Sequence, residues 1–429
     1  MTVKEALASW KGEAVEAAMD EEIRSLISNG TRKLVERPRG VNIMKNWWVL
    51  MTKYRIDDTV VREKARLVVK GFTHVYGADY DETYSPVGSY VMLRIFLSIV
   101  AVLDLNLVQL DLKNTFLQSK LDRVLYMYQP DYYNDGTGRV CKLLKSLYGL
   151  KLSPLVWYMA LDGVLLGAGW KKTQADEALY FKVGDDGVTC WVLVYVDNLL
   201  AASSSTVMLK RFIDEEQIRR IQKTPVSVDA YAELTFDDEE AQERKEEYRQ
   251  KVGSLQFAAT TTRPDIACSK LRSDLTVRSD QHWREVNRCL AYLADTRDTA
   301  LEFGSGPESL KLVGYVDADD GGDKQNRTST GCYVFVYGGA AVSWPSSRIK
   351  CATLSSTESE YVAATDAGTD GRRLGFLLAE FQQLDAGKPT VLRVDNESAI
   401  TVVEGLGLMG NLKHIEQRYS WLQHMGAQA

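Results

Sequence analysis

The chain has 429 residues, of which 45% are hydrophobic and 26% charged, and its net charge is −6. This length and apolar content predict two or three globular domains and exclude a disordered chain. The six cysteines form no CxxC pair and, with the four histidines, give no zinc spacing, so we expect reduced thiols. No apolar run approaches the roughly 20 residues that span a bilayer, which predicts a soluble protein of the cytoplasm or nucleus with no membrane partner.

The charge is unevenly distributed along the chain. Residues 213–250 carry a negative excess equal to that of the whole chain, so the remainder is neutral overall. Residues 53–72 hold a local basic excess on alternating, strand-like sequence. Such a ribbon could contact nucleic acid phosphates, and a solvated hairpin face is at least as good an interpretation.

The hydrophobic pattern predicts helices mixed with strands over the first 300 residues. Residues 1–29 predict one or two amphipathic helices, residues 203–247 a helix followed by a polar linker, and residues 248–293 a helical block. Between the first and second of these, the pattern predicts strands at 47–54, 65–72 and 107–112, helices at 90–103 and 155–166, and a hairpin over 180–200.

The tip of this hairpin is the acidic sequence YVDN at 195–198, between two apolar runs. Asp111 lies near the end of the strand predicted over 107–112, so Asp111 and Asp197 are candidates for a two-metal site. Phe116, five residues after Asp111, could exclude a ribose 2′-hydroxyl. Taken alone, each Asp is more commonly a turn or cap residue, and Phe116 a core residue.

From about Ser309 the pattern predicts a second α/β domain with the element order βββαβα. Asp317 and Asp395 follow predicted strands, and Glu360 lies in the first turn of the first predicted helix. Such a convergence of carboxylates is what two-metal phosphodiester hydrolysis requires. Helix capping, a helix-dipole contact and a solvated acidic loop are the alternatives. The predicted strands are 311–316, 331–336, 350–354 and 390–394, and the helices are 356–381 and 396–404.

A series of specific motifs follows in order along the chain. The motifs are KARLV at 64–68, KGF at 70–72, DYDET at 79–83, SPV at 85–87, QLDLKNTFL at 109–117, YM at 126–127, QP at 129–130, SLYGLK at 146–151, SP at 153–154, WY at 157–158, TRPDIA at 262–267 and ESEY at 358–361. This series resembles the copia-type reverse transcriptase and ribonuclease H region of LTR retrotransposon Pol polyproteins, and the resemblance covers nearly the whole chain.

This resemblance implies a role for each matching residue. It implies that Mg²⁺ or Mn²⁺ is the cofactor, and that an RNA template, RNA:DNA hybrids and deoxynucleoside triphosphates are the partners. The implied polymerase residues are Asp111 and Asp197 as metal ligands, Lys64 and Arg66 at the triphosphate, Phe116 for deoxyribose selection, and Tyr148 with Gly149 at the template and nucleotide pocket. The implied ribonuclease H residues are Asp317, Glu360 and Asp395, with Glu416 of KHIE at 413–416 standing in for a fourth carboxylate.

The chain also departs from the family pattern. Asn198 replaces the second acidic residue of the hairpin tip, and a neutral amide is a poorer magnesium ligand than a carboxylate. After Ser205 a block of palm elements that would grip the primer is missing, which predicts exposed apolar faces at Leu193, Tyr195 and Leu199. The resemblance includes no protease, integrase or capsid part, as in a decayed element copy or a host-retained fragment.

We therefore predict an α/β (α+β) fold in which a reduced reverse transcriptase fingers and palm precedes a ribonuclease H-like βββαβα domain. The predicted function is that of a retrotransposon-derived RNA-directed DNA polymerase and ribonuclease H, with polymerase activity impaired. A catalytically inert nucleic-acid-binding or interaction protein, and a relic without function, are the alternatives. The predicted divisions are a helical segment at 1–40, fingers and palm at 41–205, a linker and helical connection at 206–300, and the ribonuclease H-like domain at 309–429.

Overall fold

The computed structural model describes residues 3–55, 59–112, 115–214, 243–267, 280–304, 309–321, 327–351, 353–383 and 390–404. Both helices and strands form its framework, which confirms the predicted α/β class. The described residues divide into two compact units. The first unit contains the described residues within Met1–Gly88, Leu107–Lys172 and Glu177–Phe236. The second unit contains the described residues within Ser89–Asn106, Thr173–Asp176 and Asp237–Ala429.

The first unit contains three β-sheets and five helices among its described residues. The sheets have the strand orders β1-β7-β6-β2, β3-β4 and β5-β11-β10-β9-β8. The strands are β1 (Arg32–Val35), β2 (Ile43–Met44), β3 (Asn46–Tyr54), β4 (Val60–Val69), β5 (Asn106–Asp111), β6 (Lys120–Met127), β7 (Val140–Lys145), β8 (Lys171–Lys172), β9 (Leu179–Val183), β10 (Thr189–Tyr195) and β11 (Asn198–Ser203). The helices are α1 (Val3–Ala8), α2 (Gly12–Ser28), α4 (Thr115–Gln118), α5 (Ser153–Gly167) and α6 (Thr206–Asp214).

Two hydrophobic clusters stabilise this unit. In the first, α2 presents an apolar stripe at helical spacing, including Met19, Ile23 and Leu26, which packs against β4. In the second, α5 and α6 cover the sheet that contains β10 and β11, with Trp157 and Phe212 among the buried side chains. The second cluster therefore supports the hairpin that the sequence identified as a candidate site.

The apolar residues of that hairpin are more buried than the sequence predicted. Leu193 and Leu199 are both fully buried, and Tyr195 is half-buried, so the expectation of exposure is wrong for the two leucines. Gly88 lies against Leu193, and its backbone N–H donates a hydrogen bond to the Val194 carbonyl at 3.2 Å. The segment before residue 89 thus covers part of this sheet.

The second unit combines helices with one five-stranded sheet. The sheet has the order β14-β13-β12-β16, with β15 paired to β13, and β12 runs antiparallel to β13 and parallel to β16. Its strands are β12 (Val313–Asp319), β13 (Thr330–Tyr337), β14 (Ala340–Ser343), β15 (Ser346–Arg348) and β16 (Val391–Val394). Its helices are α3 (Tyr90–Val102), α7 (Glu243–Thr261), α8 (Asp280–Asp295), α9 (Ser356–Glu380) and α10 (Glu397–Val403).

The prediction of one strand of this sheet from the sequence is wrong. Residues 350–354 were expected to form the third strand, but the described residues there are irregular, and the third position is taken by β14 and β15. Gly338 and Gly339 both have positive φ, which allows a tight turn from β13 into β14. Pro345 then separates β14 from β15. Because β14 and β15 are short, contain small residues and are separated by a proline, they lack the alternating hydrophobic pattern by which a strand is predicted.

No helix among the described residues has both the length and the apolar composition needed to cross a membrane. The five described cysteines are free thiols.

A buried histidine makes the stability of the first unit dependent on pH. His74 is 7% exposed, and neither ring nitrogen has a hydrogen bond partner among the described residues. Burial lowers its pKa; Asp79 opposes this shift and Lys151 reinforces it. The unfolded chain therefore binds a proton on His74 more readily than the folded chain does. Stability from the neutral ring is complete above about pH 6.5 and is lost as the pH falls below it.

We expect the free energy of unfolding to fall below pH 6.5 by up to about 1.4 kcal/mol per pH unit from this one group. Urea titrations between pH 5 and 8, followed by tryptophan fluorescence, would measure the effect. His74→Leu keeps the apolar contacts without a titrating group, so its stability should vary less over this range. The same pH dependence in both proteins would contradict the assignment to His74.

Candidate active site

The hairpin tip and the end of β5 bring Asp111 and Asp197 to the same edge of the first unit. Asp111 is the last residue of β5, which is the neighbour of β11, and Asp197 lies in the turn closed by the Tyr195–Asn198 pair. The backbone N–H of Leu112 donates to the Asp197 carbonyl at 2.7 Å. The two residues therefore lie on adjacent backbone segments, and their role in a two-metal site stays a prediction.

The turn itself has an unusual backbone conformation. Val196 has a φ of 54°, in the left-handed region that β-branched residues rarely adopt. Its carbonyl accepts a hydrogen bond from the Trp157 indole N–H at 2.7 Å. Trp157 is buried against the sheet, so α5 fixes the conformation that presents Asp197. Trp157, three residues after the SP at 153–154, was the sequence signal for this contact, but the sequence pattern did not predict a role for it in the site.

Asn198 takes part in a neutral hydrogen bond relay beside the two carboxylates. Its Nδ2 donates to Asp197 Oδ1 at 3.2 Å, and its Oδ1 accepts from Gln109 Nε2 at 3.1 Å. A carboxylate at this position could not donate to Asp197 and would add a third negative charge. Asn198 therefore holds the Asp197 side chain without adding a charge to the turn.

Tyr148 lies between the residues of the carboxylate edge and β4. Its ring meets Phe116 edge to face with centroids 5.2 Å apart, and the Arg66 guanidinium lies 4.6 Å from the ring centroid. Burial raises the pKa of the Tyr148 hydroxyl, and the charges of Asp111 and Asp197 contribute to the rise. These five residues, singled out separately in the sequence, therefore share one neighbourhood.

Lys64 and Arg66 lie on the same side of β4, because alternate residues of a strand face the same way. Burial and the nearby Arg66 lower the pKa of Lys64. Glu22 of α2 faces them and accepts a hydrogen bond from the Leu67 backbone N–H at 3.2 Å. Burial raises the pKa of Glu22. Glu22 was not predicted from the sequence, although an acidic residue beside the apolar stripe of α2 was a visible signal.

Gly149 is required where the turn at 146–151 passes β4. It has a φ of 87°, and a Cβ there would lie 2.0 Å from the Val69 carbonyl oxygen and 2.6 Å from Val68 Cγ1. The Val69 backbone N–H also donates to the Tyr148 carbonyl at 2.8 Å. This close approach of two backbones holds Tyr148 next to the strand that carries Arg66.

A second group of carboxylates lies in the second unit. The parallel pairing of β12 with β16 places Val316 opposite Val394, so Asp317 and Asp395 are neighbours at the same end of the sheet. Glu360 comes from α9, which packs on β12. One carboxylate oxygen from each of the three residues lies within 4.8 Å of the other two. The convergence predicted from the sequence is therefore present in the fold.

The electrostatics of Glu360 distinguish this cluster from a solvated acidic surface. Glu360 is 5% exposed, whereas Asp317 and Asp395 are exposed. Its Oε1 accepts from the Ala318 backbone N–H at 3.1 Å, and its buried Oε2 has no hydrogen bond partner among the described residues. Burial raises its pKa, and the charges of Asp317 and Asp395 raise it further. A cation would satisfy both the orphaned oxygen and the repulsion, so these residues fit a metal site.

Glu416 and the rest of the KHIE sequence lie outside the described residues, so a role for Glu416 remains a prediction.

The chain is similar to known proteins over most of its length. Residues 29–224 match the family "Reverse transcriptase (RNA-dependent DNA polymerase)". The retrovirus-related Pol polyprotein from transposon TNT 1-94 of Nicotiana tabacum is 35% identical over 479 residues, which cover 99% of this chain and 36% of that protein. The corresponding polyprotein from transposon RE2 of Arabidopsis thaliana is 30% identical and covers 98% of this chain and 32% of that protein. The chain is a homologue of copia-type Pol polyproteins.

This Pol homologue spans about a third of the length of those relatives. The alignment with the Nicotiana polyprotein runs over 479 positions, more than the 429 residues of the whole chain, so it includes positions that this chain lacks. A solved structure described as foamy viral protease-reverse transcriptase in complex with double-stranded DNA matches 96% of this chain and 68% of that chain, at 15% identity and a TM-score of 0.49.

Proposed function

We propose that this Pol homologue cleaves the RNA strand of RNA:DNA hybrids at Asp317, Glu360 and Asp395, with Mg²⁺ or Mn²⁺ as cofactor. The observation that carries the proposal is the buried, unpartnered Oε2 of Glu360 beside two exposed carboxylates. Carboxylate oxygens are the ligands that these hard cations prefer. The exposed side of the cluster leaves room for a phosphodiester backbone.

The three side chains contribute differently to this chemistry. A bound divalent cation would activate the attacking water and stabilise the leaving oxygen. Glu360 is held by the Ala318 N–H, so one ligand stays fixed whether or not the site is filled. Asp317 and Asp395 face solvent and can meet the cation together with the substrate phosphate. We propose that the protein acts in the cytoplasm or nucleus, in keeping with its free thiols.

The test is cleavage of a hybrid that carries a label on its RNA strand. We expect the wild type to cleave it only when Mg²⁺ or Mn²⁺ is present, and Asp395→Asn to lower the rate at least about 100-fold because a charged ligand is lost. Glu397→Gln is the matched control, since it removes an exposed acidic side chain two residues away at the start of α10. Equal cleavage by wild type and Asp395→Asn, or cleavage without metal, would overturn the proposal.

We also propose that RNA-directed DNA synthesis is impaired. Asp111, Asp197, Lys64, Arg66, Phe116 and Tyr148 would bind the metal, the deoxynucleoside triphosphate and the RNA template, as their positions in the family motifs imply. Asn198 leaves this site with two carboxylates and an amide, and the alignment includes positions that this chain lacks. A poorly held primer end costs on the order of 100-fold in rate for a misplacement of about 1 Å.

We expect Asn198→Asp to raise primer extension on an RNA template about tenfold above a weak wild-type rate, because the added carboxylate strengthens metal binding. Asp111→Ala should abolish what activity there is. Extension by the wild type that already equals that of Asn198→Asp would contradict the claim that Asn198 limits the site. A protein that binds hybrids yet shows neither activity would favour the inert nucleic-acid-binding alternative.

A further inference from the structure

The second unit has a half-open cavity that lies outside both carboxylate sites. It has a volume of about 560 Å³ and is lined by α3, α7, α9 and the segment from β14 to β15. Its walls are mainly apolar and include the aromatic rings of Tyr90, Tyr333 and Trp344. This size and lining are typical of small-molecule sites, which usually add a few well-placed polar groups to an apolar wall.

The polar group of this cavity is Arg94, a cation that is only 6% exposed. Its Nε donates to the Val342 carbonyl at 2.8 Å, and its Nη1 donates to the carbonyls of Thr260 and Thr261 at 2.9 and 3.0 Å. The guanidinium lies over the Trp344 ring, 3.8 Å from its centroid. Four neighbours therefore fix the orientation of this side chain.

These contacts leave part of the guanidinium and all of its charge unpaired. Within the described part of the chain, Nη2 has no acceptor and no carboxylate forms an ion pair with Arg94. Burial lowers the pKa of Arg94 to about 10, so it stays charged at neutral pH. An unpaired buried cation is costly, and an anion in the cavity would offset that cost.

The remaining charges of the lining cancel each other. Asp370 pairs with Arg373 at 3.0 Å and accepts a hydrogen bond from the Ser343 hydroxyl at 2.8 Å. The described lining thus carries one net positive charge, located at Arg94. A neutral or cationic ligand would leave this charge uncompensated.

We propose that this cavity binds a small anionic molecule with a flat, apolar body, whose anionic group meets Arg94 Nη2 while its body packs among the aromatic rings. The proposal is independent of hybrid cleavage, because none of the three carboxylates lines the cavity.

The experiment compares two dyes of similar shape on the full chain. 8-Anilinonaphthalene-1-sulfonate carries one negative charge, and N-phenyl-1-naphthylamine has none. We expect the anionic dye to bind at least about tenfold more tightly, as a charge-assisted hydrogen bond inside an apolar site implies. Arg94→Met should abolish that difference. Gln256→Met is the matched control, because it changes another lining residue to methionine and leaves Arg94 and the charge of the lining in place, so it should preserve the difference.

A cavity-filling variant tests the proposal independently, in case Arg94→Met does not fold. Val91→Trp keeps Arg94 and fills the space beside it, so both dyes should lose at least about tenfold in affinity. Circular dichroism melting curves would show which variants are folded. Equal binding of the two dyes to the wild type, a preserved difference in folded Arg94→Met, or unchanged binding in folded Val91→Trp would overturn the proposal.

Discussion

Glu360→Gln is expected to abolish metal-dependent hybrid cleavage while making the metal-free protein more stable. In the metal-free cluster, three carboxylates repel each other, and one of them is buried with an unpartnered oxygen. The glutamine keeps an oxygen that can accept from the Ala318 N–H and places a donor next to Asp317 and Asp395. Removal of a buried, repelled charge should raise the free energy of unfolding by about 1 kcal/mol.

Cleavage should fall at least about 100-fold in the same variant, because a neutral amide replaces the buried anionic ligand of the described cluster. The measurements are the hybrid cleavage assay and thermal melting, the latter without metal and at Mn²⁺ concentrations that increase in tenfold steps. The wild type should melt at higher temperature as Mn²⁺ is added, and Glu360→Gln should respond little. A variant that melts below the metal-free wild type, or that keeps its response to Mn²⁺, would show that the cluster is a structural feature and not a metal site.

Gly149→Ala is expected to destabilise the first unit by about 3 kcal/mol or more. The added Cβ would collide with the Val69 carbonyl and Val68 Cγ1, both parts of a packed strand, and the residue would have to keep a positive φ. Relief of the clash requires the turn at 146–151 to move away from β4. Tyr148, whose carbonyl accepts from the Val69 N–H, would move with it.

Gly136→Ala is the control for this prediction. Gly136 also has a positive φ, of 72°, but no atom lies within 4 Å of the position its Cβ would take. Gly136→Ala should therefore lower the free energy of unfolding by only about 1 kcal/mol, the penalty for an alanine at positive φ. Urea titrations followed by circular dichroism would give both values. A loss of stability in Gly149→Ala no greater than that in Gly136→Ala would show that the turn can move away from β4 without cost.

Most secondary structure was predictable because it depends on local periodicity. The helical pattern of residues 90–103 predicted α3, and the acidic turn between apolar runs predicted the hairpin of β10 and β11. The pattern over 350–354 failed because apolar content was taken as a strand, while the actual β14 and β15 are short and rich in small residues. The exposure of Leu193 and Leu199 was also predicted wrongly, since Leu193 lies against Gly88, about a hundred residues earlier in the chain, and Leu199 packs in the second hydrophobic cluster.

The candidate residues could be identified from the sequence, but which of them lie close together in the fold could not. Asp111, Asp197, Asp317, Glu360 and Asp395 stand out as acidic residues at predicted element ends. Which of them meet, and which oxygen is buried, depends on strand order: the pairing of β12 with β16 joins Asp317 to Asp395, residues 78 positions apart. The unpaired charge of Arg94 likewise has no sequence signal, because its three acceptors are backbone carbonyls.

The sequence alone therefore determined the elements, the candidate side chains and the homology to copia-type Pol proteins, because these depend on residue type and short-range spacing. The tertiary structure alone decided that Glu360 is buried beside two exposed carboxylates, that Asn198 pairs with Asp197, and that Gly149 allows two backbones to meet. Burial, register and close approach are properties of segments far apart in the chain, and desolvation and like-charge repulsion act on the distances that folding sets.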